Sequence, residues 1–117
     1  MIKIFINSIT KKIFNFKGRS NIKEYFIFIF FEIIIVGALL LAERKYGRTD
    51  FLTLIAGIVL IVYLFANTSL TVRRLHDCNL SGFWFLLGII FSPLIGLLLL
   101  FIKGTSGSNR YGKPPMD

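Results

Sequence analysis

Between Arg73 and Trp84 the chain reads RRLHDCNLSGFW, which gathers two arginines, its only histidine, an aspartate and its only cysteine into six residues. His76 and Cys78 could ligate a metal, but two donors at i, i+2 make half of a tetrahedral set, and no CxxC pair supplies the rest. A nucleophilic pair of Cys78 and His76 needs the two side chains face to face, which near neighbours in a turn rarely achieve. Asp77 could pair with either arginine or orient His76. An architectural role asks for less. Arg73 and Arg74 at the end of an apolar block would set their guanidinium groups among lipid phosphates, and Trp84 suits the same interface. Asn79, Ser81 and Gly82 are turn formers. The stretch therefore predicts a polar boundary hinge. No catalytic or metal-binding role is assigned to it, and no cofactor is expected.

A second polar point lies inside an apolar block. Glu32 stands seven residues beyond Tyr25, about 10 Å deep at the helical rise. An ionised carboxylate there is costly, so it should be neutral or face a partner within a helix bundle. Antiparallel packing would bring it towards Asn67, Thr68, Ser69 and the bases of Arg73 and Arg74. That makes a structural polar clasp the simpler reading, with a proton or ion relay as its rival.

These residues are positioned by a chain of 117 residues, enough for one domain, of which 55% are hydrophobic. The apolar residues are not dispersed with helical or strand periodicity. They form uninterrupted blocks, which is the pattern of a membrane protein. Three spans are expected, at 25–42, 51–70 and 82–102, followed by a Gly- and Pro-rich polar tail over 103–117. The first holds eighteen residues, or about 27 Å of helix, enough for the hydrocarbon layer. Residues 1–20 place Ile2, Phe5, Ile6, Ile9, Ile13 and Phe16 at helical spacing. They predict an amphipathic segment, on the headgroups or packed on the protein's own spans. Lysines interrupt its apolar residues and no small-residue cleavage site follows, unlike a signal peptide. Gly18 breaks that helix, and Asn21 with Glu24 has the spacing of an N-cap and its third-position acid. The expected fold class is all-α: three transmembrane helices and an N-terminal interfacial helix.

Pro93 removes a backbone donor in the middle of the third block. Either a kinked span or a re-entrant turn at SPLIG accommodates it. Length favours the kinked span, because each arm of a hairpin would have only about nine residues. The basic residues favour the alternative. With three full spans and the N-terminus cytoplasmic, eight Lys and Arg lie inside and six outside; a re-entrant third segment makes it eleven and three. Both counts put the N-terminus inside. The net charge of +8 clusters just outside the apolar blocks, where it meets anionic headgroups rather than nucleic acid.

Four ordered stretches, FNFKGRSNIKEYF, VRRLHDCNLSGFW, SPLIG and KGTSGSNRYGKPP, resemble the small bacterial inner-membrane proteins grouped as domain of unknown function 805. That family reads F-x-G-R-x-x-R-x-E-Y-W, R-R-L-H-D-x-x-x-S-G-W-W, P-x-x-G and G-x-N-R-Y-G-x-x-P in the same order. The resemblance covers Phe14 to Pro115. Phe26 and Phe83 stand where tryptophan is common, Ile22 where a basic residue is, and Glu32 where a neutral polar residue is. The last departure weakens any shared relay through Glu32. The resemblance implies an integral inner-membrane protein of unassigned activity, and it lends no enzyme. It also implies that the hinge (Arg73, Arg74, His76, Asp77) is half of a polar site completed by Arg19, Glu24 or the tail residues Asn109 and Arg110.

The sequence thus predicts a non-enzymatic, multi-pass protein of the cytoplasmic membrane. It would bind anionic lipid or a protein partner through its basic N-terminal face, as a homo-oligomer. The rivals are an oligomeric transporter or channel using Glu32, and an enzyme acting on lipid at Arg73–Asp77. Detergent should release the protein from membranes while high salt or carbonate leaves it in the pellet, because its apolar blocks span rather than coat the bilayer. Recovery in the salt supernatant, read by immunoblot of the fractions, would reject the membrane reading.

Overall fold

The computed structural model describes residues 1–90 and 98–115. Among these the chain is helical and has no strand, only an isolated bridge between Asn109 and Gly112 in the tail. Four helices follow in order: α1 Ile2–Ile9, α2 Ile22–Tyr46, α3 Asp50–Asp77 and α4 Trp84–Ile90. α2 and α3 are antiparallel neighbours, and α1 packs across both.

α2 begins where the sequence placed its cap: the Asn21 side chain accepts the Glu24 amide at 2.8 Å. It ends at Gly47, whose φ of 76° suits a residue without Cβ. Thr49 caps α3 in the same way, accepting the Leu52 amide at 3.2 Å. With 25 and 28 residues, the two helices are about 38 and 42 Å long. Both are long and apolar enough to cross a membrane. They exceed the apolar blocks because their polar flanks continue the helices.

That extension carries the polar residues of the hinge onto α3, before the turn at Asn79. Arg73 to Asp77 form the last helical turns of α3, and the chain reverses only after Cys78. The Leu80 amide reaches back to the Leu75 carbonyl at 2.8 Å and the Asn79 amide to His76 at 2.9 Å. Asn79 takes the left-handed conformation, φ 59°. This is a Schellman ending, with Leu80 packed back on the core beside Leu75. Two adjacent arginines at the close of a helix put positive charge at its carbonyl end, where it is favoured.

α1 is shorter than the expected segment and stops at Ile9, followed by turns to Phe14. Phe5, Ile9 and Ile13 pack on the buried cluster of Tyr25, Phe28, Ala66, Leu70, Leu75 and Leu99. Ile2 and Ile6 point outward. The core therefore sits at one end of the α2–α3 pair. Along the rest of both helices the large apolar side chains are exposed, including Ile33, Leu40, Leu41, Leu54 and Ile61. Charges lie inside and hydrocarbon outside, the reverse of a water-soluble domain.

The third apolar block is described at its two ends. α4 covers its start and a short helical turn, 98–101, its end. Gly82 lies against α3, where an added Cβ would stand 3.2 Å from Val72 and 3.8 Å from His76. Gly104 lies against Asp77, and the Thr105 amide bonds the Asp77 carbonyl at 2.7 Å. Both ends of the block thus meet the same end of α3. Pro93 and the choice between kink and turn fall outside the described residues.

Glu32 also finds a different partner. It meets the Tyr63 hydroxyl rather than the Asn67–Ser69 group. Ser69 instead donates to the Lys12 and Ala66 carbonyls, and Thr68 to Leu64; Asn67 is half-buried. The reason is register. Glu24 of α2 is joined to Arg73 of α3, so eight residues along α2 correspond to about ten back along α3. Replacing Glu32 with Gln should leave stability nearly unchanged, because an amide also accepts the tyrosine proton. Tyr63→Phe should cost about 0.5–1.5 kcal/mol by leaving the acid unpaired. Denaturation in mixed micelles, monitored by circular dichroism, checks both. Equal loss for Glu32→Gln and Tyr63→Phe would mean that the acid has another partner.

Candidate buried ion cluster

The end of the α2–α3 pair holds three arginines and two carboxylates almost free of solvent. Arg73 and Arg74 are 2% and 0% exposed, and Arg19, Glu24 and Asp77 are buried with them. α3 supplies three of these residues because its last two turns are helical. Arg74 and Asp77, at i and i+3, share one face. Arg19 comes from the strap after Gly18, and Glu24 from the first turn of α2.

Asp77 is the centre of one half. Its Oδ1 accepts from Arg19 Nε at 2.9 Å, and its Oδ2 accepts from Arg74 Nη1. The two guanidinium groups are otherwise satisfied by backbone carbonyls. Arg19 donates to Gly107 at 2.7 Å, Gly112 at 3.2 Å and Thr105 at 2.6 Å. Arg74 donates to Leu99 at 3.1 Å, Ser20 at 3.3 Å and Ile102. One aspartate and two arginines therefore clamp the strap, the end of α3, the end of the third block and the tail.

Glu24 is the centre of the other half. Its Oε2 accepts the Ser20 hydroxyl at 2.7 Å, and its Oε1 accepts from Arg73 Nη1 at 3.0 Å, Lys12 Nζ at 3.2 Å and Ser8 at 3.4 Å. The Ser20 amide also bonds the Arg73 carbonyl at 3.0 Å. Arg73 differs from its neighbours in one respect. Its Nε and Nη2 are buried without a hydrogen-bond partner.

His76 lies at the edge. Its Nδ1 is 3.0 Å from the Gly18 carbonyl, which selects the tautomer with the proton on that nitrogen. Its ring stacks on Tyr111, with centroids 3.9 Å apart and planes within 6°. Asn109 donates to the His76 carbonyl at 3.0 Å, and Arg110 to that of Asn79 at 3.2 Å. Burial pushes the Cys78 thiol up, so it is not a thiolate at neutral pH. Among the described residues no three His, Cys, Asp or Glu side chains could hold a metal ion together. Apart from Arg73 Nε and Nη2, the buried polar groups of the cluster are engaged with one another and with backbone carbonyls.

All eight residues of the expected polar site, Arg19, Glu24, Arg73, Arg74, His76, Asp77, Asn109 and Arg110, come to this one end of the molecule. Glu32 does not join them. It faces a separate cavity of about 170 Å³ between α1, α2 and α3, where Tyr63 is the other polar side chain. Sequence reasoning missed Ser8, Lys12 and Ser20. Ser20 stands next to the cap Asn21, which was a usable signal. The five tail and third-block carbonyls carry no signal, because any residue type supplies one.

With this geometry in view, comparison with known proteins becomes informative. A family model described as protein of unknown function (DUF805) matches residues 13–113. This chain belongs to the DUF805 family. The inner membrane protein YhaI of Escherichia coli (strain K12) is 39% identical over 120 residues, covering 92% of each chain. The inner membrane protein YhaH of the same strain is 36% identical over 116 residues, again with 92% of each covered. The uncharacterized protein YiiR of that strain is 28% identical over 137 residues. No solved structure matches the chain. Two of these relatives are named inner membrane proteins, in keeping with two helices here that are long and apolar enough to cross a membrane, and Arg19, Glu24, Arg73, Arg74 and Asp77 lie within the matched residues.

Removing one partner from a buried ion network strands the others. Asp77→Asn should destabilise the fold by about 3–5 kcal/mol, because two buried guanidinium groups lose their anion. Gly104→Ala should be of similar severity, since its Cβ would fall 1.9 Å from Asp77 Oδ2. Gly107→Ala meets no atom within 4 Å and adds only the strain of φ 72°, about 1–2 kcal/mol. Thermal unfolding in detergent should place Asp77→Asn and Gly104→Ala together, well below Gly107→Ala. Asp77→Asn matching wild type would mean that the clamp contributes nothing.

Proposed function

We propose that this protein is a non-enzymatic, multi-pass component of the inner membrane that holds a basic cytoplasmic face against anionic lipid. The observation that carries the reading is the clamp at Asp77, which brings the N-terminal strap, the end of α3, the end of the third block and the tail to one end of the helix pair. If α2 and α3 cross the bilayer, their link with Arg44, Lys45 and Arg48 lies on one side. The other eleven Lys and Arg lie on the opposite side. The positive-inside rule then orients the protein with its N-terminus and its tail in the cytoplasm.

The third block must then enter and leave through the same face. Its twenty-one residues make two arms of about 15 Å each, half the hydrocarbon depth. Carbonyl bonds from Arg74 to Leu99 and Ile102 hold the returning end of the block beside α3. A hairpin of two spans with a clamped re-entrant segment accounts for the buried charges without a reaction. The engaged state of His76 and the raised thiol of Cys78 speak against a lipid-acting enzyme at this point. Glu32 and Tyr63, the polar lining of an otherwise apolar cavity, do not make a conducting path.

Topology tests this directly. In a Cys78→Ala background, single cysteines at Gly47 and Ser108 should respond oppositely to a membrane-impermeant maleimide. Gly47→Cys should label in intact spheroplasts and Ser108→Cys only after permeabilisation. Labelling of both from outside would reject the re-entrant arrangement and restore three full spans.

A further inference from the structure

The buried cluster is not charge-balanced. Arg19, Arg73 and Arg74 stand against Glu24 and Asp77, and Lys12 adds a fourth cation at the rim, its side chain 41% exposed. Asp77 is consumed by Arg19 and Arg74, whose remaining donors find carbonyls. Glu24 is left for both Arg73 and Lys12, which meet on the same oxygen, Oε1, at 3.0 and 3.2 Å. Each carboxylate stands between two cations, but only on the Glu24 side are donors left over: Arg73 Nε and Nη2 are buried without partners. A buried guanidinium with unmade hydrogen bonds is costly, and native structures rarely keep one without a reason.

From this surplus and these donors we infer that Arg73 and Lys12 form a binding site for a phosphate oxyanion, supplied by the headgroup of an anionic phospholipid. The inference rests on the lipid-facing reading of the basic end and gives it a specific pocket. Nε and Nη2 form one edge of the guanidinium fork, which matches two oxygens of a phosphate. Lys12 is the member of the cluster that reaches the surface, so it meets the headgroup first. The turn after α1 is held to α3 by the bond from Ser69 Oγ to the Lys12 carbonyl at 3.1 Å. A small shift of the turn after α1 would open the fork to a phosphate held by Lys12. Phosphate bound there would neutralise the surplus charge and fix α1 on α2 and α3.

The test compares thermal unfolding in nanodiscs of phosphatidylcholine with and without phosphatidylglycerol. Phosphatidylglycerol should raise the Tm of the wild type. Arg73→Lys keeps the charge and the reach to Glu24 but removes the fork. Lys12→Gln removes the rim cation without touching the core. Each should weaken apparent phosphatidylglycerol binding about tenfold, the loss of one charge-assisted contact, whereas Lys3→Gln, also one charge fewer, should not. Stabilisation that persists equally in Arg73→Lys and Lys12→Gln would overturn the site while leaving the lipid reading standing. No stabilisation of the wild type would overturn both. Inorganic phosphate added to pure phosphatidylcholine discs separates the sources. Failure to stabilise supports the headgroup, and full stabilisation would overturn a lipid as the ligand.

Discussion

Charge burial at Asp77 is the constraint on which the rest of the structure hangs. Two guanidinium groups cannot leave water unless an anion and several carbonyls replace it. Asp77 and the backbone of three separate segments provide those groups for Arg19 and Arg74. The hydrophobic effect cannot do this work. In a bilayer the apolar faces of α2 and α3 are as content against lipid as against each other, so association rests on polar contacts and close packing. That is why the core is confined to one end and why the opposite ends of the helices are bare.

The Glu24 half performs a different task. It sets the register of α2 on α3 and draws α1 down through Ser8 and Lys12. Once that register is set, Glu32 has no choice of neighbour: it meets Tyr63. The two polar regions are thus coupled by helix geometry alone, although they share no side chain. The His76–Tyr111 stack and the Asn109 bond to the His76 carbonyl close the tail over the cluster. They give the tail motif a structural reason independent of any reaction.

Membership of the DUF805 family, together with inner membrane relatives that cover nearly the whole chain, means that this architecture is not private to one sequence. In this chain Arg19, Arg74 and Asp77 are engaged in an internal clamp that joins four segments. The cluster resembles a site because its residues are charged, close and buried. Backbone carbonyls satisfy the remaining donors of Arg19 and Arg74, whereas two donors of Arg73 are left without partners.

Composition and blockwise hydropathy determined the compartment, the helical class, the extent of the apolar blocks and the Asn21 cap, because these depend on residue type over a local window. The motif order also pointed to a meeting of strap, hinge and tail. Tertiary structure alone decided the rest. The helical continuation through Arg73–Asp77 depends on carbonyl and carboxylate partners far along the chain, and local polarity had suggested a hinge. The partner of Glu32 depends on a register set eight residues away by Glu24. The far end of the third block lies beside α3 because Arg74 bonds the backbone carbonyls of Leu99 and Ile102. A carbonyl is the same in every residue, so no sequence pattern could have announced them.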